Sequence, residues 1–283
     1  MKISPQAIIE HLLPFVATAG AYSATVQSRV ASHAAKGGST PFHHALSDAD
    51  LTIQGYLEVA LLARFPEISF FSEEQDQSLN AKYFAGTSEL EVLIDPIDGT
   101  RAYIDGRPNY QIIVTIHDAS RIVGALCYMP RLNTCYTATL GQGAYLRTHA
   151  ECASGAAGVK LDVSDSTGPV LVFNRPDLLE KLIPQFDARD LVREYERDSA
   201  GSYSIDLLTK RASSIVSAPA QAIDAGALAF IVQEAGGVVS DERGMPIGSF
   251  RAASNRVLQW CIASANQRVH EEVLAALQPK NGS

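Results

Sequence analysis

Glu91-Val-Leu-Ile-Asp95-Pro96-Ile97-Asp98-Gly99-Thr100 is the stretch from which the rest of the chain is best read. Its apolar β run, Glu91–Ile94, ends at Asp95-Pro96 and delivers two carboxylates, Asp95 and Asp98, into a turn. Asp-Pro and Asp-Gly are ordinary turn dipeptides, so in isolation a plain polar turn explains them equally well. Two considerations separate this turn from that reading. The run is apolar enough to be interior, which puts Asp95 at the edge of a core, where a carboxylate requires a cation or hydrogen-bond donors. Gly99-Thr100 then begins a short helix whose first N–H groups lack partners within the helix, and such an end attracts anions. Carboxylates beside an anion repel it unless metal ions stand between. Mg²⁺ suits that position, being a hard cation that takes few carboxylates, keeps waters and binds phosphate oxygens.

Upstream, Ser4-Pro5 opens a helical pattern carried by Ile8, Ile9, Leu12, Val16 and Ala19, with a kink expected at Pro14. His33 to His44 reads as a mobile loop, and Ser47-Asp48 as the cap of a second helix with Leu51, Tyr56, Leu57, Ala60, Leu61 and Leu62 as its buried stripe. Ile68 to Ser72 is a short β run. Downstream, Gln111–His117 and Ile122–Met129 form a hairpin around Asp118-Ala119-Ser120, and Cys135–Leu140 with Ala144–Arg147 form another around Gly141-Gln142-Gly143. That Gly-x-Gly lacks a third glycine and a strand–helix setting, so it is a turn and not a dinucleotide site.

From Thr148 to Pro169 the composition turns small and polar, which marks the expected boundary between an N-terminal α+β domain, 1–147, and a C-terminal α/β domain, 148–283. Beyond it strands Val170–Phe173, Ser214–Val216, Val238–Ser240 and Cys261–Ala263 alternate with helices at Pro176–Ile183, Ser202–Leu208, Asp224–Ala235 and after Asn266.

The 283 residues are 46% hydrophobic, enough for a sizeable core, and 23 basic against 31 acidic residues give a net charge of −8. That balance argues against a general nucleic-acid binder. No stretch has the ~20 continuous apolar residues of a membrane span, and the start of the chain does not read as a signal peptide. Cys127, Cys135, Cys152 and Cys261 form no C-x-x-C pair, so they read as buried reduced thiols of a cytoplasmic protein.

Further acidic positions fit a cation site. Glu73-Glu74 follows the run ending at Ser72, Asp224 opens an apolar small-residue helix, and Asp50 lies in the first turn of the second helix. Taken singly, these read as a solvated turn, an N-cap and a helix-dipole partner.

Together the pieces resemble the inositol monophosphatase family of Mg²⁺-dependent, lithium-sensitive phosphatases. The matching elements are Ala49-Asp50, Phe71-Ser72-Glu73-Glu74, the hexapeptide Asp95–Thr100, Gly141-Gln142-Gly143-Ala144, Gly201-Ser202, and Asp224-Ala225-Gly226 leading to Glu234-Ala235-Gly236-Gly237. The resemblance implies a layered αβαβα sandwich, an α+β fold shared with fructose-1,6-bisphosphatase, and a homodimer in the cytoplasm. It implies two to three Mg²⁺ ions, one on Glu73, Asp95 and the Ile97 carbonyl, one on Asp95, Asp98 and Asp224, and a looser one near Glu73. It further implies that Thr100, supported by Asp50, orients the attacking water together with Glu73, and that the Gly99 and Thr100 N–H groups cradle the phosphate. Lys36, Gly201, Ser202 and Ser217 are the positions it places around the substrate.

The implied activity is hydrolysis of a small phosphorylated metabolite such as inositol 1-phosphate. Two departures alter the pocket wall. Ile223 stands where the family commonly has Trp, and Ser217 where inositol-type members often have Glu or Asp. Arg101 after Thr100 is shared with many histidinol-phosphate phosphatases, which keeps histidinol phosphate, 3′-phosphoadenosine 5′-phosphate and fructose 1,6-bisphosphate as alternatives. A reading from another class is a regulatory binding protein that kept the fold, as some bacterial members associate with transcription machinery.

Overall fold

The computed structural model describes residues 3–34, 41–72, 75–173, 175–191, 205–217, 220–246, 257–258 and 261–278. Two long helices, α1 (Pro5–Ala34) and α2 (Pro41–Arg64), form the first layer. Ile8, Ile9, Leu12, Leu13 and Val16 of α1 join Ile53, Leu57 and Leu61 of α2 in one core. These recur at three- and four-residue spacing, which aligns them on one face of each helix. α1 continues through Pro14 to Ala34. α2 starts at Pro41 and not at Ser47-Asp48, so the expected loop from His33 to His44 is helical at both ends. A proline suits a first helical position because its missing N–H has no partner there anyway. Tyr56, expected in the buried stripe, is 38% exposed and Ile53 takes a core position instead.

The second layer is a sheet of β1 (Ser69–Ser72), β2 (Glu91–Asp98), β3 (Gln111–His117), β4 (Ile122–Met129), β5 (Thr134–Thr139), β6 (Gly143–Thr148) and β7 (Val159–Lys160), side by side in that order. β1 runs parallel to β2, and the later neighbours are antiparallel. A short helix α3 (Thr100–Ile104) follows β2, and α4 (His149–Ser154) follows β6 behind a Thr148–Glu151 capping box. β7 lies within the Thr148–Pro169 stretch and joins the first sheet, with Tyr145 opposite Lys160.

The second sheet contains β8 (Val170–Phe173), β9 (Ala188–Asp190), β10 (Ser214–Ser217), β12 (Val238–Asp241) and β14 (Cys261–Ser264) in the order β12-β14-β10-β8-β9. A two-stranded ladder joins β11 (Ala220–Gln221) to β13 (Val257–Leu258). The C-terminal helices are α5 (Pro176–Leu182), α6 (Ile205–Leu208), α7 (Ala222–Glu234) and α8 (Gln267–Leu277).

α7 lies between the sheets. Residues 226–232 are all buried, as a helix apolar on every side requires, and they share one core with Ile113, Ala125 and Cys127 of the first sheet and Leu171, Ile215 and Ala263 of the second. α5 and α8 cover the far face through Leu178, Leu182, Val269 and Val273. The layers are therefore helix, sheet, helix, sheet, helix: the expected αβαβα sandwich. All four cysteines are buried and free. No helix among the described residues is long and apolar enough to cross a membrane.

Candidate active site

β2 does not end at Ile94 as its composition suggests but runs on to Asp98, with an irregularity in its pairing to β3. Asp95 pairs with Ile113 and Asp98 with Gln111, so Pro96 and Ile97 together oppose Ile112 alone. This is a β-bulge, and Pro96, with no N–H to give the ladder, is where one is tolerated. The extra residue changes the alternation of faces. In a regular strand, side chains three positions apart point to opposite sides of the sheet. Here the partners Ile113 and Gln111 are two apart, so Asp95 and Asp98 share a face. Ile97 packs with Ile94 and Ile112 in the core under α1 and α2. Ile113 belongs to the core around α7. Both carboxylates are thus directed to the α7 side.

Each carboxylate is held. Asp95 is 5% exposed and its Oδ1 accepts the Ile97 N–H at 3.1 Å. Asp98 Oδ2 accepts from Gln111 Nε2 at 2.6 Å. Burial pushes the Asp98 carboxyl above the ordinary carboxylate range, opposed by hydrogen bonds from Gln111 and the Gly99 N–H. Burial also holds the Cys127 thiol well up, and the nearby Asp98 charge adds to it. A carboxylate whose ionisation burial opposes is one that a neighbouring cation stabilises.

Gly99 makes the turn that follows. Its φ of +94° is unfavourable for side chains, and a Cβ there would lie 2.6 Å from the Asn109 carbonyl oxygen. The chain then enters α3, where exposed Thr100 donates its hydroxyl to the Ile97 carbonyl at 3.4 Å. Asp50, 6% exposed on α2, lies near Tyr103 of α3. Burial, Tyr110 and then the Asp50 charge hold the Tyr103 phenol above its usual range, while its hydroxyl donates to the Ser23 carbonyl at 3.0 Å.

The orientation of α7 follows from its far end. Glu234 Oε2 accepts the N–H groups of Gly141 and Gly143, at 3.0 and 3.1 Å, in the β5–β6 turn. α7 also packs against β2 and β3. A 13-residue helix is about 20 Å long, and β2 lies three strands from β5, about 14 Å. The contacts with β2 and β3 therefore come from earlier turns, and the first turn, which carries Asp224, begins on that side. The Asp224 side chain lies outside the described residues, as do Lys36, Glu73, Gly201 and Ser202. β1 ends at Ser72, which pairs with Ile94, the residue before Asp95. Ser217 ends β10 with its hydroxyl donating to the Cys261 carbonyl at 3.4 Å.

Among the described residues no three histidines, cysteines or acids converge as a complete cation cage. The groups carried by the end of β2, two carboxylates on one face and the Ile97 carbonyl bonded by Thr100, are hard oxygen donors, the set that Mg²⁺ prefers over softer metals. Among the described residues Gln111 Oε1 is buried without a hydrogen-bond partner; water held on a cation is the donor such an acceptor wants. The residues present fit a Mg²⁺-type site. Sequence reading missed Gln111, because a polar residue opening the apolar run Gln111–His117 looks like a strand end.

The sequence matches the inositol monophosphatase family over residues 6–283. It is 29% identical over 205 residues to the Nus factor SuhB of Haemophilus influenzae, covering 69% of this chain and 70% of that protein. It is 25% identical over 254 residues to the Nus factor SuhB of Escherichia coli K12, covering 87% and 85%. Among solved structures, inositol monophosphatase II of Staphylococcus aureus superposes with a TM-score of 0.69 at 16% identity, covering 98% of both chains. SuhB of Mycobacterium tuberculosis gives 0.67 at 19% identity, covering 99% of this chain and 98% of its own.

Proposed function

Because the chain belongs to the inositol monophosphatase family, we propose that it hydrolyses a small phosphate monoester, inositol 1-phosphate or a similar metabolite, with Mg²⁺ ions held among Glu73, Asp95, the Ile97 carbonyl, Asp98 and Asp224. The observation that carries this reading is the bulge at Pro96-Ile97, which turns Asp95 and Asp98 to one face. Bound cations would lower the pKa of a coordinated water and offset charge on the leaving oxygen. The protein's own groups do the positioning. Thr100, with Asp50 nearby on α2 and Glu73 after β1, holds the attacking water. The N–H groups at the start of α3 receive phosphate oxygens, and the Gly99 N–H exchanges its bond to Asp98 for one to the ester. Cations also resolve the electrostatic difficulty of an anionic substrate approaching a chain of net charge −8.

The test is phosphate release from inositol 1-phosphate, histidinol phosphate, 3′-phosphoadenosine 5′-phosphate and fructose 1,6-bisphosphate, with and without Mg²⁺. Release that requires Mg²⁺ on at least one ester supports the reading, and no release from folded protein on any ester sinks it.

A second reading rests on the two relatives named Nus factor SuhB. On that reading the chain also docks on transcription machinery, contrary to the expectation of no nucleic-acid partner. Retention of the Asp95→Asn variant by a purified transcription complex would support it, and no retention of either wild type or variant would remove it.

A further inference from the structure

Gln111 is 1% exposed and sits opposite Asp98 in the β2–β3 ladder. Its amide orientation is dictated by chemistry. The atom 2.6 Å from Asp98 Oδ2 is a donor, because the amide oxygen at that distance from an ionised carboxylate would repel it. One carboxylate oxygen is thereby engaged by a short bond from a buried side chain. The second amide atom, Oε1, is buried and has no hydrogen-bond partner among the described residues.

We infer that Gln111 is a positioning residue that restricts Asp98 to one oxygen for cation binding and so sets the preference of the site for Mg²⁺ over Ca²⁺. The inference rests on the phosphatase reading above and deepens it. The physical link is coordination geometry. Mg²⁺ demands near-ideal octahedral geometry and short bonds, which a carboxylate meets with one oxygen. Ca²⁺ takes six to eight oxygens at longer distance and readily accepts both oxygens of one carboxylate. A donor fixed on Oδ2 opposes the second mode and leaves the first intact. Removing the donor leaves Asp98 only the Gly99 N–H, a bond that the proposed function gives up to the ester, and the larger ion gains.

The experiment is titration calorimetry of the full chain with Mg²⁺ and with Ca²⁺, for wild type, Gln111→Met and Gln111→Asn. Met keeps the length and removes the donor; Asn keeps the amide one methylene short of Asp98. The ratio of Ca²⁺ to Mg²⁺ affinity is expected to rise by about tenfold in both variants, the lower end of what partners of metal ligands contribute. A merely structural role would weaken both ions together and leave the ratio unchanged; that result, or no change at all, overturns the inference while the phosphatase reading stands. If wild type binds neither ion, the reading above has failed and this inference with it. Should neither variant fold, nuclear magnetic resonance of the wild-type Gln111 side-chain amide decides. A proton that stays protected from exchange in saturating Mg²⁺ but loses protection in saturating Ca²⁺ supports the clamp, and one protected equally with both ions, or with neither, overturns it.

Discussion

Replacing Gly99 with alanine tests the turn that links the carboxylates to Thr100. At φ +94° a non-glycine residue costs about 1–3 kcal/mol of backbone strain. The added methyl would also lie 2.6 Å from the Asn109 carbonyl oxygen and 3.2 Å from Tyr110 Cα. Both are backbone atoms, so relief requires moving the chain, and overpacking of this kind costs about 1–3 kcal/mol. Against this, alanine restricts the unfolded chain and returns about 0.4–1 kcal/mol. The net expected loss is roughly 1–5.5 kcal/mol. Urea unfolding followed by circular dichroism reads it as a lower midpoint with an unchanged slope. Hydrolysis is expected to fall further than stability requires, because relief of the clash moves Thr100 away from the Ile97 carbonyl it now touches. A variant within about 0.5 kcal/mol of wild type, the range of neutral surface changes, with the wild-type rate, would refute both the strain argument and the role given to the turn.

Asp95→Asn is expected to abolish measurable phosphate release while leaving the circular dichroism spectrum unchanged; a wild-type rate would move the site elsewhere. Glu234→Ala removes the acceptor for two N–H groups of the β5–β6 turn and is expected to cost about 1–3 kcal/mol in urea unfolding, whereas an unchanged midpoint would mean that the turn holds itself. His270, buried between Ser240 and Ser264, has its pKa lowered by burial, against the opposing Glu271 charge. Its folded pKa is below the unfolded value of about 6.5, so its contribution is full above that pH and is lost as pH falls through about 6.5 toward the folded value. Thermal melts from pH 7.5 to 5 should therefore show a steeper decline for wild type than for His270→Asn, and parallel declines would exclude the effect.

Parts of this architecture were plain from the sequence for local reasons. β3 and β4 have the bounds expected of them because each is a mostly apolar run flanking turn residues, and the Asp118 carboxylate closes the turn between them on the Ser120 and Arg121 N–H groups. α7 was legible as a small-residue apolar run ended by Gly236-Gly237. What escaped the reading depends on partners distant in the chain. Ala188–Asp190 carries no strand pattern and becomes one by pairing at the edge with β8. Val159–Lys160 is a strand through β6 in the same way. The hexapeptide suggested a cation site, but not that Asp95 and Asp98 share a face, because that follows from what β3 places opposite them. Gln111 escaped for the same reason.

The bulge makes spacing, more than residue identity, the sensitive variable in this part of the chain. Side chains at Pro96 and Ile97 could be exchanged while the carboxylates kept their direction, provided the backbone still accommodated two residues against one. Deleting one of the two would only flatten the strand, since aspartates two positions apart still share a face; adding a single residue opposite them in β3 would instead act like a frame change, restoring strict alternation and turning the second aspartate toward the core beneath the long helices, with every candidate side chain still encoded and the pair of carboxylates parted.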